Sequence, residues 1–142
     1  MNRIKLSIPD RFSFSTSMQI RVTDLNYGNH VGNDTILSIL QEARQQFLAS
    51  RGYRELDMEG YGLIMADAVV EYKREIKYPG NILVSVNAQD FDKMGFDIFY
   101  KIELISSEGP VLAVKAKSGM MLYDYGTQKK ASMTEVIVQK LS

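Results

Sequence analysis

One run of the sequence limits the possible folds more than any other. From Asn33 to about Ser50 the residues Ile36, Leu37, Ile39, Leu40, Ala43, Phe47 and Leu48 recur at helical spacing. They cover well over half the circumference of the first turns, so this helix must be wrapped by other elements rather than laid on a surface. Asn33 reads as its N-cap, Asp34 complements the positive end of the helix, and Gly52 supplies the stop.

The rest of the chain alternates with the two-residue period of strands. Phe12–Thr23 comes before the helix, with Phe12, Phe14, Met18, Ile20 and Val22 on one parity. Four runs follow a connection over Tyr53–Gly62. Leu63–Lys77 places Ile64, Ala66, Ala68, Val70 and Tyr72 on one parity and ends at the turn Tyr78-Pro79-Gly80. Ile82–Phe91, Phe96–Ile105 and Val111–Tyr123 alternate in the same way, the last with Leu112, Val114, Ala116, Met120 and Leu122 inward. Hairpin-sized turns separate them, and a short amphipathic tail, Met133–Leu141, reads as a final helix. Strand, long helix, then a four-strand meander predicts an α+β domain. One antiparallel five-stranded sheet curls around one buried helix, in a single domain spanning residues 1–142.

Composition removes several classes of function. The net charge is +0, which argues against a broad nucleic-acid or anionic-membrane surface. With no cysteine and one histidine there is no thiol nucleophile and no zinc-type ligand set. No apolar run approaches a membrane span, and the first residues lack the apolar core of a secretory signal, so the cytoplasm is the expected compartment. There is no G-x-S-x-G elbow, no phosphate loop and no nicotinamide fingerprint; Gly60-Tyr61-Gly62 lacks the third glycine.

Chemistry concentrates in the loop Asp24–Gly32, which holds the sole histidine, His30, and runs into the helix. A loop that brings donors and an imidazole to a helix N-terminus is suited to holding a polarised carbonyl. The sequence here is Asp24-Leu25-Asn26-Tyr27-Gly28-Asn29-His30-Val31-Gly32-Asn33, followed by Glu42-Ala43-Arg44. This resembles the hot-dog fold acyl-CoA thioesterases of the 4-hydroxybenzoyl-CoA thioesterase-like branch. Their pattern is D-x-D-x-x-G-H-V-N-N and then a helix bearing E-x-A-R. Ala68-Val69-Val70-Glu71-Tyr72 with Tyr78-Pro79-Gly80 is similar to the family's second strand and the turn after it.

The resemblance implies a hot-dog fold that dimerises edge to edge, possible further assembly to a tetramer, and acyl-CoA or acyl-carrier-protein sites at the dimer interface. It implies no cofactor beyond the CoA of the substrate. Carried over by position, Asn26 stands where many members have the carboxylate that acts as nucleophile or base. The backbone N–H of Asn33 stands at the oxyanion donor. Two departures matter: residue 26 is an amide, and the usual glycine before the histidine is Asn29, with glycine one step earlier at 28.

A thioester needs oxyanion donors and an activated water, because its thiolate leaves without obligatory protonation. An amide at 26 can orient water but cannot take its proton, which leaves His30 as the expected base or donor. Asp24 either accepts a proton or braces the loop, and bracing is the commoner role of such a residue. Tyr27, Gly28, Asn29, Val31, Gly32 and Asp34 are expected around the substrate, with Tyr27 either packing on an acyl group or anchoring the loop. Asp67 interrupts the apolar run LIMADAVV and points either to solvent or to the interface pocket. Lys73 and Arg74 are candidates for the CoA phosphates, as are Lys77, Lys115 and Lys117. Glu42 lies about 13 Å along the helix from Asn33, too far to reach a carbonyl held there in its own chain. Met65, Met120 and Met121 either line an acyl tunnel or fill the core.

Two functions from different classes follow. One is hydrolysis of an acyl thioester; the other is acyl-CoA binding without hydrolysis, as Asn26 in place of a carboxylate would allow. A hot-dog dehydratase is a weaker third, because such sites pair a histidine with a carboxylate across the dimer.

Overall fold

The computed structural model describes residues 1–142. Its elements are β1 (Phe14–Gln19), α1 (Asn33–Ser50), β2 (Gly62–Tyr72), β3 (Asn81–Gln89), β4 (Gly95–Ser106), β5 (Gly109–Asp124), β6 (Lys129–Lys130) and α2 (Glu135–Leu141). All strand pairings are antiparallel, in the order β1-β3-β4-β5-β2, with the two-residue β6 added against β5. The sheet curls around α1, which is the hot-dog arrangement expected from the sequence. It has six strands rather than five, because the polar turn after Asp124 lets Lys129 and Lys130 pair back. No helix is long and apolar enough to cross a membrane.

The core lies between α1 and the concave face of the sheet. Ala43, Phe47 and Leu48 are fully buried, in one hydrophobic cluster with Ile82, Val84, Val86, Ile98, Ile102 and Leu122. Burying side chains of this size contributes about 1.5–3 kcal/mol each. The Phe47 ring also meets Phe14 edge-on at 5.9 Å. At one end α2 seals the core with Ile137 and Leu141. The Thr134 hydroxyl caps it by accepting from the Ile137 N–H.

Several boundaries differ from the alternation pattern. The first strand stops at Gln19; Val22 belongs to a 3-10 turn over Val22–Asp24 and is exposed. α1 has Gly32, not Asn33, as its N-cap, with no side-chain cap, so Asn33 is the first helical residue. The long run from Leu63 ends at Tyr72, and residues 73–80 form a connection. Within β2 the register shifts between Met65 and Asp67, leaving Ala66 without a partner on β5. An extra residue in a ladder reverses the side-chain parity. Met65 therefore opposes the buried Met120, while Ala68, Val70 and Tyr72 carry the inward face beyond the bulge. A second shift between Ile102 and Glu103 sends Ala113 into the core and turns Leu112 outward, onto the face opposite α1.

β1 and β2 are the sheet edges. The middle of β2, Met65 to Ala68, is exposed and has β5 on one side only.

Candidate active site

The loop between β1 and α1 is built by short-range polar contacts. The Asp24 carboxylate is buried and accepts from the Arg21 backbone N–H at 2.8 Å and from Arg21 Nη2 at 3.2 Å, closing the 3-10 turn. Asp24 also borders a groove along one flank of α1 that runs to Glu42 and Gln46. Asp24 thus braces the loop. Leu25 then pairs with Val31, so residues 26–30 form a closed excursion. The Asn26 N–H donates to the His30 carbonyl at 2.9 Å, and Asn26 Oδ1 accepts the Gly28 N–H at 2.8 Å. Asn29 takes a positive φ of 61°, which asparagine tolerates better than most residues.

Gly28 brings the two leading candidates together. A Cβ there would lie 3.3 Å from Asn26 Oδ1 and 3.3 Å from His30 Nε2. The two side-chain atoms are therefore no more than twice that distance apart. His30 Nδ1 lies 3.2 Å from the Val31 carbonyl. An N–H donated there leaves Nε2 as the lone-pair nitrogen. Nε2 in turn faces the Glu75 carboxylate at 3.9 Å. The 73–80 connection is docked against the loop by the Val31 N–H, which donates to the Ile76 carbonyl at 2.8 Å, and by pairing of His30 with Lys77.

These elements enclose a cleft of about 220 Å³ at the front end of α1. His30 and Asn33 stand on one side, with Tyr72, Lys73, Arg74 and Glu75 on the other. Asn33, the first helical residue, carries one of the N–H groups that a helix leaves without an internal acceptor. The Tyr72 hydroxyl donates to the Asn33 carbonyl at 3.0 Å. Burial, and then the nearby Asp34 carboxylate, push the Tyr72 hydroxyl above the usual tyrosine range. Asp34 folds back over the N-cap, its Oδ1 2.6 Å from where a Gly32 Cβ would stand. A side chain at position 32 would have to displace the Asp34 carboxylate from the helix start.

The cleft collects His30, Val31, Asn33, Lys73 and Arg74 from among the residues singled out in the sequence; Asn26, Gly28, Gly32 and Asp34 do not line it, Asn26 and Gly28 lying next to the His30 ring and Asp34 next to Gly32. Tyr27 and Asn29 are exposed, and Tyr27 touches little else. Asp67 lies further along β2. There the Lys117 ammonium and the Gly119 N–H, at 3.0 and 2.9 Å, hold its carboxyl below the usual carboxylate range. Lys117 also pairs with Asp97, and Lys115 donates to the Leu6 carbonyl. Glu42 is exposed and accepts from Gln46.

A family model described as the thioesterase-like superfamily matches residues 20–141. The chain belongs to that superfamily. Among solved structures, a 1,4-dihydroxy-2-naphthoyl-CoA thioesterase from Synechocystis superposes with a TM-score of 0.80 at 17% identity, over 90% of this chain and 94% of that one. A mutant 4-hydroxybenzoyl-CoA thioesterase complexed with 4-hydroxybenzoyl-CoA gives 0.82 at 12% identity, over 91% and 98%. A Staphylococcus aureus protein in complex with CoA gives 0.79 at 17%, over 96% and 85%. At these identities the likeness establishes the fold. No curated protein matches the sequence.

Sequence reasoning about this thioesterase-like chain missed Glu75 and the part played by Tyr72. Glu75 stands in the charged run Lys73-Arg74-Glu75, where a solvated connection has the same appearance. Its placement against His30 depends on a long-range backbone pairing that no local pattern encodes.

Proposed function

We propose that the protein hydrolyses an acyl-CoA or acyl-carrier-protein thioester in the cleft at the front end of α1. The observation that supports this most is the meeting of His30 with the open helix start of Asn33 in one cleft. In this reading the carbonyl oxygen accepts from the Asn33 N–H. A water held between the Asn26 amide and His30 attacks the carbonyl carbon, and His30 Nε2 takes its proton. The charge of Glu75 steadies the imidazolium that results. The tetrahedral oxyanion rests on the helix start, where one donor of this kind is worth about 2.7–4 kcal/mol in known enzymes. Collapse breaks the carbon–sulfur bond, and the departing thiolate recovers the proton from His30. Lys73 and Arg74, at the mouth of the cleft, face the phosphates of CoA.

The open edge of β2 supports pairing of two copies through that strand, as in the family resemblance; sedimentation analysis would read a dimer or a tetramer. A panel of alkyl and aryl acyl-CoA thioesters with detection of free thiol tests hydrolysis. Release of thiol, abolished in His30→Ala with binding retained, is the expected result. No turnover on any member overturns the proposal.

One observation favours a second reading, acyl-CoA binding without hydrolysis. Asn26 Oδ1 is already engaged by the Gly28 N–H, and an amide cannot accept a proton. Near-zero wild-type activity, with a large gain in Asn26→Asp, would select this reading.

A further inference from the structure

The residues ahead of β1 cross the outer face of the sheet, opposite α1, in one direction. The Ser13 N–H donates to Asn87 Oδ1 on β3 at 3.2 Å, and Lys101 Nζ of β4 stands 5.1 Å from the centre of the Phe12 ring. Leu6 then bridges the last two strands. Its carbonyl accepts from Lys115 Nζ on β5 at 3.3 Å, and its N–H donates to Glu71 Oε1 on β2 at 2.9 Å. Beyond β2 the sheet has no further strand.

Side chains keep a two-residue period along this crossing. Leu6 and Ile8 are half-buried, while Lys5 and Ser7 are exposed. Ile4 has the parity of Leu6 and Ile8, so it continues the apolar row, with Arg3 and Lys5 on the solvent side. Yet Ile4 is 62% exposed. Leu6 already lies at β2, and two residues of extended chain advance about 6.6 Å, more than the roughly 4.8 Å between neighbouring strands. Ile4 therefore overhangs the edge, where its own sheet has ended.

This is also the edge open to a second copy. Antiparallel pairing about the exposed stretch Met65–Ala68 sets Glu71 of one copy opposite Gly62 of the other, the two positions being equally far from the centre. Leu63 and Leu122 are buried in the core, so Gly62 and its β5 partner Tyr123 face outward. The Tyr125 ring lies where a Gly62 Cβ would stand, and it meets the Tyr123 ring edge-on at 4.9 Å. Tyr125 is 54% exposed. An overhanging isoleucine and an uncovered tyrosine pair thus come together only when two sheets are joined.

We infer that the segment before β1 clasps a second copy, with Ile4 seated on Tyr123 and Tyr125 of that copy across the β2 seam. The inference rests on the pairing through β2 proposed above and adds a contact outside the strand ladder. Two-fold symmetry makes the contact twice.

Sedimentation over a concentration series provides the first test. Ile4→Asp and Tyr125→Ser should each raise the dimer Kd about tenfold or more, as for uncovering one large apolar side chain. Combined, they should cost less than the product of the two, because they break one contact. Arg3→Ser, of opposite parity in the same segment, should stay within twofold of wild type. The second test uses the absence of cysteine from the chain. Ile4→Cys protein mixed with Tyr125→Cys protein should form a disulfide-linked pair on mild oxidation, whereas Val136→Cys in place of Tyr125→Cys should not. Either the loss of affinity or the cross-link supports the clasp. If wild type is a dimer and both are absent, the inference falls and the edge pairing stands. If wild type is a monomer at every concentration, both fall.

Discussion

The Tyr72 hydroxyl donates to the carbonyl of Asn33 across 3.0 Å, tying the end of β2 to the first residue of α1. This bond sets the width of the cleft at the point where the proposed oxyanion would rest. Tyr72→Phe removes it without changing ring volume. The expected loss is about 0.5–1.5 kcal/mol in urea unfolding, with kcat reduced more than KM is raised.

His30 and Glu75 should separate in kinetics. His30→Ala removes the proton acceptor and should lower kcat by about 10²–10⁴-fold with little change in KM. Glu75→Gln keeps the shape but removes the charge beside Nε2, and should lower kcat by about tenfold, roughly 1.4 kcal/mol. Equal activity of Glu75→Gln and wild type across a substrate panel would remove Glu75 from the mechanism.

Arg74 is exposed at the mouth of the cleft and forms no ion pair within the chain, whereas Lys73 is paired with Glu71 at 3.0 Å. Arg74→Gln should raise KM several-fold for CoA thioesters. It should leave KM unchanged for the matching N-acetylcysteamine thioester, which has no phosphate. Added salt should reproduce the first effect and not the second.

Gly95 opens β4 where its Cα faces the neighbouring backbone. A Cβ there would overlap the Met120 carbonyl oxygen, only 2.0 Å away. Since the obstacle is backbone, the β4–β5 ladder itself must move. Gly95→Ala should cost about 1–3 kcal/mol, read as a lowered midpoint of thermal unfolding.

The Asp67 carboxyl is held below its ordinary value by the Lys117 ammonium and, less strongly, by the Gly119 N–H. A depressed carboxylate contributes stability that is present above the unfolded-state value and lost as pH falls through the folded one. The window therefore opens near pH 3.8 and extends below it. Asp67→Asn should lower stability slightly and evenly above that window, and flatten the acid limb so that the two profiles converge at low pH.

The long helix and the alternation of the strands were legible in the sequence because each depends on one local periodicity and on burial of one face. The bulges were not. Ala66 and Ala113 are small, apolar and unremarkable in composition, and a one-residue parity switch leaves both halves of a strand looking regular. The same holds at the site. The loop and helix start could be read from Asn, Gly and His at short spacing, whereas Glu75 reaches His30 only because a distant connection docks on Val31. The buried contact between Arg44 and Tyr100 was hidden for a related reason. Arg44 was visible in Glu42-Ala43-Arg44, but its contact with Tyr100 joins residues fifty-six positions apart.

Asp34, folded over Gly32 at the mouth of the helix, gives the site a direction. In the proposed reaction the substrate arrives with an uncharged carbonyl, which a resident carboxylate does not repel, and the acid leaves as an anion beside a fixed negative charge. On the proposed reaction, turnover runs downhill electrostatically towards an emptied site, and the free acid should be a poor inhibitor of hydrolysis.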